Sequence, residues 1–171
     1  MNPSIIFLDI DGVLTLQSTQ WKSFHPDCVV ALNKILDNTN AMIVLSSCWR
    51  HGFIDWPNKI LIDRKDALRV MQRWFDDCGL PSQRLIDKTP DFVQLTVDGE
   101  FASGHRGTEI SMWLDKHSRV QSFILLDDDS DMEPHKDRLV QTHEPEGLTL
   151  ENADQAISLL TDNTSFGKVS V

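Results

Sequence analysis

The chain has 171 residues, 40% of them apolar and 25% charged, with a formal net charge of −10. Those totals suit a soluble globular protein, and no apolar run approaches the ~20 residues a membrane helix needs. They also argue against the basic footprint of a protein that binds nucleic acid non-specifically.

A chain of this length can bury roughly two-thirds of its surface, and one domain is expected over residues 1–162, followed by a loose tail over 163–171. The N-terminus lacks the basic region and small-residue cleavage site of a secretory signal. Cys28, Cys48 and Cys78 are odd in number, widely spaced and without a CxxC pair. Reduced thiols in a cytoplasmic protein are therefore expected, not a disulfide frame or a zinc site.

In chain order, Ile5-Ile6-Phe7-Leu8 reads as a buried strand that runs into Asp9-Ile10-Asp11-Gly12. Alternation along a strand puts Asp9 and Asp11 on the same side. Two carboxylates at the end of a buried strand imply a cation or a reaction, although an acidic Asp-Gly turn fits these ten residues equally well. Thr15 to His25 is a polar connection, and Pro26 starts a helix carrying Val29, Leu32 and Leu36. Ala41 to Leu45 is a second buried strand ending in Ser46-Ser47-Cys48-Trp49-Arg50.

The stretch from His51 to Ile62 has an irregular pattern, with a turn at Trp56-Pro57-Asn58. Leu68, Met71, Phe75 and Cys78 stand at helical spacing, stopped by Gly79 and Pro81. Arg84-Leu85-Ile86 suits a short strand, and Val97 to Phe101 a turn or small hairpin. A helix from Gly107-Thr108 places Ile110, Trp113, Leu114 and His117 on one face. Phe123 to Leu126 is a further buried strand, ending in Asp127-Asp128-Asp129-Ser130-Asp131. Arg138 to Thr142 is a last strand, and Thr149 caps a helix with Leu150, Ala153, Ile157 and Leu160 inside.

Strands alternating with helices imply βαβ units, hence an α/β fold whose parallel sheet is covered on both faces. Ligand sites of such sheets lie outside the carboxyl ends of the strands. Asp9/Asp11, Ser46 and Asp127/Asp128 all fall there. Four carboxylates on one rim require a compensating charge. Oxygen ligands without a Cys/His cluster favour magnesium, which normally completes its shell with water and substrate phosphate. Phosphoryl transfer is then the leading reaction class. One carboxylate can attack phosphorus and a neighbouring Asp can move the proton. Ser46 and a cation would hold the phosphate oxygens.

The segment FLDIDGVL (7–14) resembles motif I of the haloacid dehalogenase (HAD) superfamily of aspartate-nucleophile phosphohydrolases. IVLSSCWR (43–50) is similar to its second motif, GHRGTEISMWL (104–114) to its third and FILLDDDSDM (123–132) to its fourth. The wording of SSCWR, RGTEI and WL is most similar to HAD phosphatase domains of RNA-repair proteins. The resemblance implies a three-layer Rossmann-like core and a hydrolase of phosphomonoesters. It implies Asp9 as nucleophile forming an aspartyl-phosphate, and Asp11 as general acid/base that also offers its backbone carbonyl to magnesium. Ser46 would hold the phosphoryl group, with Arg106 as basic partner and Asp128 as direct metal ligand, Asp127 standing beside it or acting through water. The third motif usually carries Lys, so Lys88 and Lys116 are alternatives to Arg106, and Arg and Lys are not interchangeable.

Arg50 would reach the phosphate or leaving group, or else be a surface Arg packed over Trp49. Ser47 and Cys48 read as structural, and His25, His51 and His105 as solvated. Trp113 belongs to the core; Trp21, Trp49 and Trp56 flank the rim, where they stack on a base or simply pack. Too few residues separate Asp11 from the first helix for a lid domain, so no large cap is expected. The resemblance associates such open sites with large substrates, such as nucleic-acid ends or protein side chains, or with oligomers that supply cover; nucleotides are a further candidate substrate. A regulatory module that binds metal or phosphate without turnover, and a phosphotransferase, are the rival readings.

Overall fold

The computed structural model describes residues 3–95, 101–103 and 105–162. A five-stranded parallel sheet runs in the order β5-β2-β1-β8-β9. These strands are β1 (Ser4–Leu8), β2 (Met42–Leu45), β5 (Leu85–Lys88), β8 (Ser122–Asp127) and β9 (Leu139–Gln141). The three central strands are continuous apolar runs because helices cover both of their faces.

Period-two alternation sorts each strand between two cores. Ile6, Leu8, Ile43, Leu45, Ile124 and Leu126 face α1 (Pro26–Asn38), α2 (Ala67–Asp77) and α4 (Leu150–Thr161). Ile5, Phe7, Val44, Phe123 and Leu125 face α3 (Arg106–Lys116), meeting Ile110 and Trp113. Each fully buried side chain of this size contributes roughly 1.5–3 kcal/mol. The α/β three-layer core expected from the sequence is thus the observed one.

Local signals set the helix starts. Pro26 occupies the first turn of α1, where its missing N–H costs nothing. Thr149 caps α4 through a reciprocal pair: its hydroxyl accepts from Asn152 N at 3.2 Å, and Asn152 Oδ1 accepts from Thr149 N at 3.1 Å.

Several expectations need correction. The stretch from His51 to Ile62 is not irregular. It forms an antiparallel hairpin of β3 (Gly52–Asp55) and β4 (Ile60–Asp63), with the Trp56-Pro57-Asn58 turn between them. Phe53 and Ile62 anchor the hairpin in the core, while Ile54, Ile60 and Leu61 point outward. On α2, Val70 and Trp74 complete the buried face and Cys78 lies beyond the last turn, exposed. Leu150 opens α4 on the solvent side.

A second hairpin pairs β6 (Val93–Leu95) with β7 (Phe101–Ser103), in the region expected to hold one; its connecting residues 96–100 lie outside the described residues, as does the tail over 163–171. Both insertions are small, so among the described residues no large cap is present. Among them, also, no helix is long and apolar enough to cross a membrane. The three cysteines are free thiols.

Candidate active site

Register builds the site. Leu8 pairs with Leu45 on one side and Leu126 on the other, so the next residue of each strand, Asp9, Ser46 and Asp127, falls in one row. The backbone ladder continues into that row: Asp9 N donates to Leu126 O and Ser46 N to Leu8 O, both at 2.9 Å. Asp9 and Asp127 share the parity of Phe7 and Leu125, which places them on the α3 side of the sheet. There the first residue of that helix, Arg106, lies 3.1 Å from Asp9 Oδ2 and donates a hydrogen bond to Asp127 Oδ2.

Asp128, the next residue along, completes an acidic cluster. One oxygen of each of Asp9, Asp127 and Asp128 lies within 4.8 Å of the others. Asp9 and Asp127 are buried and Asp128 is exposed. The close approach depends on Gly12, whose φ of +73° suits glycine. A Cβ there would stand 2.5 Å from Asp128 Cγ. Thr142 Oγ1 secures this turn by donating to the Gly12 carbonyl at 2.8 Å.

Three carboxylates meet one guanidinium, and the charge deficit shows in the titration. Burial pushes the Asp127 carboxyl up to about 7, with the Asp9 charge adding to it, despite Arg106. Burial and Asp9 likewise raise Asp128. Burial disfavours the Arg106 charge, yet Asp9 and Asp127 outweigh it and hold its pKa above the ordinary value.

Asp9 Oδ1 is buried and has no hydrogen-bond partner among the described residues. An orphaned carboxylate oxygen beside two further carboxylates fits a hard divalent cation. The donor set holds oxygen only, which suits magnesium better than zinc.

Asp11 stands apart from that cluster. Its Oδ1 accepts from Thr15 Oγ1 at 2.6 Å and its Oδ2 from Trp49 Nε1 at 2.7 Å. Sequence reasoning missed both partners. The four-residue spacing around the Gly12 turn was a local sign for Thr15, whereas nothing marked Trp49, 38 positions away.

Arg50 is neither at the surface nor free. It is 5% exposed. Its Nη1 donates to the carbonyls of Ser46 (2.7 Å) and Ser47 (2.9 Å), and its Nη2 to Glu109 at 2.5 Å. Both terminal nitrogens are thus held by protein acceptors, while Nε lies 3.6 Å from Asp91 without a hydrogen bond among the described residues, and Arg50 and Glu109 line the same cleft as Arg106. Glu109, also unforeseen, lies three residues after Arg106 and additionally accepts from Phe92 N.

Of the alternatives to Arg106, Lys88 Nζ donates to the carbonyls of Arg50 and Arg64. Lys116 ends α3, roughly 15 Å along the helix from its start. Neither joins the carboxylates.

The remaining candidates are peripheral. His105 pairs with Asp131 at 2.9 Å in solvent, and His51 with Asp91 at 3.0 Å. Trp113 is buried and bonds Asp87. Trp49 packs against Phe53 and Trp74, whereas Trp21 and Trp56 are over a third exposed. A polar cleft of about 300 Å³ opens beside Arg106, lined by Cys48, His51, His105 and Asp131 among others.

A family model described as "HAD domain in Swiss Army Knife RNA repair proteins" matches residues 5–153. No curated protein and no solved structure matches the chain.

Proposed function

We propose that this chain, which belongs to the family of HAD domains in Swiss Army Knife RNA repair proteins, is a magnesium-dependent phosphomonoesterase acting through an aspartyl-phosphate. The observation that carries this reading is the state of Asp9. One of its oxygens is tied to Arg106, and the other is buried beside Asp127 and Asp128 with no hydrogen-bond partner among the described residues.

Asp9 is the nucleophile: as an Asp9 oxygen bonds to phosphorus, the ester P–O bond breaks and the Asp11 proton passes to the leaving oxygen. Asp11 then takes a proton from water. The water oxygen bonds to phosphorus, the Asp9–phosphorus bond breaks, and inorganic phosphate leaves. Ser46 and Arg106 hold the phosphoryl oxygens as charge develops. Asp9, Asp127, Asp128 and the Asp11 carbonyl are the residues that would hold magnesium, which supplies positive charge against the phosphate oxygens.

Arg50 supports the site by fixing the Ser46-Ser47 backbone through its carbonyl contacts. An open rim flanked by two small hairpins suits a phosphate carried on a large substrate, with a nucleic-acid end as the leading candidate. The net charge of −10 favours engagement of an end over binding along a polyanion.

The test is phosphate release from p-nitrophenyl phosphate and from end-phosphorylated oligonucleotides, with magnesium or with a chelator. Asp9→Asn is expected to remove turnover on all substrates with the melting temperature kept. Full magnesium-dependent activity in that variant would overturn the nucleophile. A strong preference for a small metabolite would remove the macromolecular substrate and leave the chemistry.

A further inference from the structure

We infer that Trp49 is a positioning residue for the proton transfer, its indole N–H holding Asp11 at the angle from which it reaches the leaving oxygen. This rests on the phosphatase reading above and adds a residue to it.

The geometry is that of a clamp. Asp11 is gripped on both oxygens, by Thr15 on Oδ1 at 2.6 Å and by Trp49 on Oδ2 at 2.7 Å. Each donor comes from a different loop, Thr15 from the one after β1 and Trp49 from the one after β2. With both oxygens held, the carboxyl is oriented away from the cluster of Asp9, Asp127 and Asp128.

The indole itself is buried and packed among aromatic rings. It lies 4.8 Å from the Phe53 ring and 5.4 Å, edge-on, from Trp74. Trp74 in turn meets Phe24 edge-on at 5.8 Å, and Phe24 bridges back to Thr15. The same aromatic cluster therefore sets both arms of the clamp.

A buried Trp N–H seeks an acceptor in any protein, so a packing role alone would produce the same bond. The two roles differ in what they do to chemistry. A group that aims a general acid matters when the leaving oxygen needs a proton, and misplacement of about 1 Å costs on the order of 100-fold. A packing residue affects all substrates alike.

The experiment compares p-nitrophenyl phosphate, whose weakly basic phenolate leaves without a proton, with an alkyl phosphate, whose alkoxide requires one. Trp49→Phe keeps an aromatic ring in the cluster and deletes the N–H. Its kcat on the alkyl phosphate is expected to fall about 10- to 100-fold, several-fold more than on the aryl phosphate, with KM little changed. Thr15→Val reads the other oxygen in the same assay, and Thr15→Ser is expected to restore the alkyl-phosphate rate. Equal losses on the two substrates, or none, would overturn the positioning role. So would failure of both Trp49→Phe and Thr15→Val to fold, since the residues would then be structural first. Absence of turnover by the unmodified chain on either substrate would instead remove the phosphatase reading itself.

Discussion

Arg106, the first residue of α3, bridges two strand ends: it donates to Asp127 at the end of β8 and lies 3.1 Å from Asp9 just past β1. One cation thus stands against two buried anions, with Asp128 adjacent. Arg106→Ala leaves that pair uncompensated, which costs about 3–5 kcal/mol when a buried pair loses one partner. Denaturant unfolding should show that loss in chelator, with part of it recovered in magnesium. Arg106→Lys keeps a charge but replaces the Nη1 that meets both carboxylates with a shorter, differently directed ammonium, so an intermediate stability is expected. Equal stability of Arg106→Ala and the parent chain would deny the electrostatic role.

The Asp127 carboxyl, raised by burial to about 7, would make stabilisation by the proposed magnesium depend on pH. Its ordinary value is about 3.9. Because the folded-state value is the higher one, the folded chain binds the extra proton between them. Stability from this group is full below about 3.9 and is lost as pH rises through about 7. A divalent cation prefers the ionised form and competes with the proton. The rise in melting temperature on adding magnesium is therefore expected to be larger at pH 8 than at pH 5.5. Asp127→Asn should flatten the difference. An identical magnesium shift at both pH values in the parent chain would contradict the assignment.

How far the sequence reveals this site follows from the range of each interaction. The strands that end in Asp9, Ser46 and Asp127 are legible because burial on two faces demands unbroken apolar runs. Their polar ends stand out against those runs. Arg106 is legible as the basic residue opening the helix before β8. The hairpin of β3 and β4 is not, since its inward positions are Phe53, Ile62 and the polar Asp55 while Ile54, Ile60 and Leu61 face solvent, so apolar alternation gives no clear strand. The Asp11–Trp49 and Arg50–Glu109 contacts span 38 and 59 positions. Pairings that distant are products of the assembled fold, and no local spacing encodes them.

Gly12 is required by the turn between the two aspartates. Its φ is +73°, and a Cβ would sit 2.5 Å from Asp128 Cγ. Gly12→Ala thus combines backbone strain of roughly 1–2 kcal/mol with displacement of Asp128. Magnesium affinity should drop more than stability does, since Asp128 is exposed and can yield outward. Titration of magnesium by calorimetry alongside thermal melting separates the two. Unaltered affinity in Gly12→Ala would show that Asp128 takes no part in holding the ion.

The Arg50–Glu109 pair links the Ser46 loop to α3, and its two ends are not equivalent. Arg50 Nη1 holds the Ser46 and Ser47 carbonyls while Nη2 meets Glu109, and both side chains are about 5% exposed. Burial lowers the Arg50 pKa and Glu109 opposes it, so the guanidinium depends on that partner to stay charged at low cost. Glu109→Ala leaves Arg50 with only the Asp91 carboxylate, 3.6 Å from its Nε, and should cost up to about 3–5 kcal/mol. Arg50→Ala removes the carbonyl contacts as well, and it should additionally reduce turnover because the Ser46 backbone loses its support. Arg50→Met with Glu109→Leu removes both charges together. By comparison with the single variants it is expected to recover stability, since a buried pair can be replaced by apolar side chains at little net cost. It should not recover activity. A double-mutant cycle in urea supplies the coupling, and a double variant as active as the parent would show that the Ser46 loop holds its shape without Arg50.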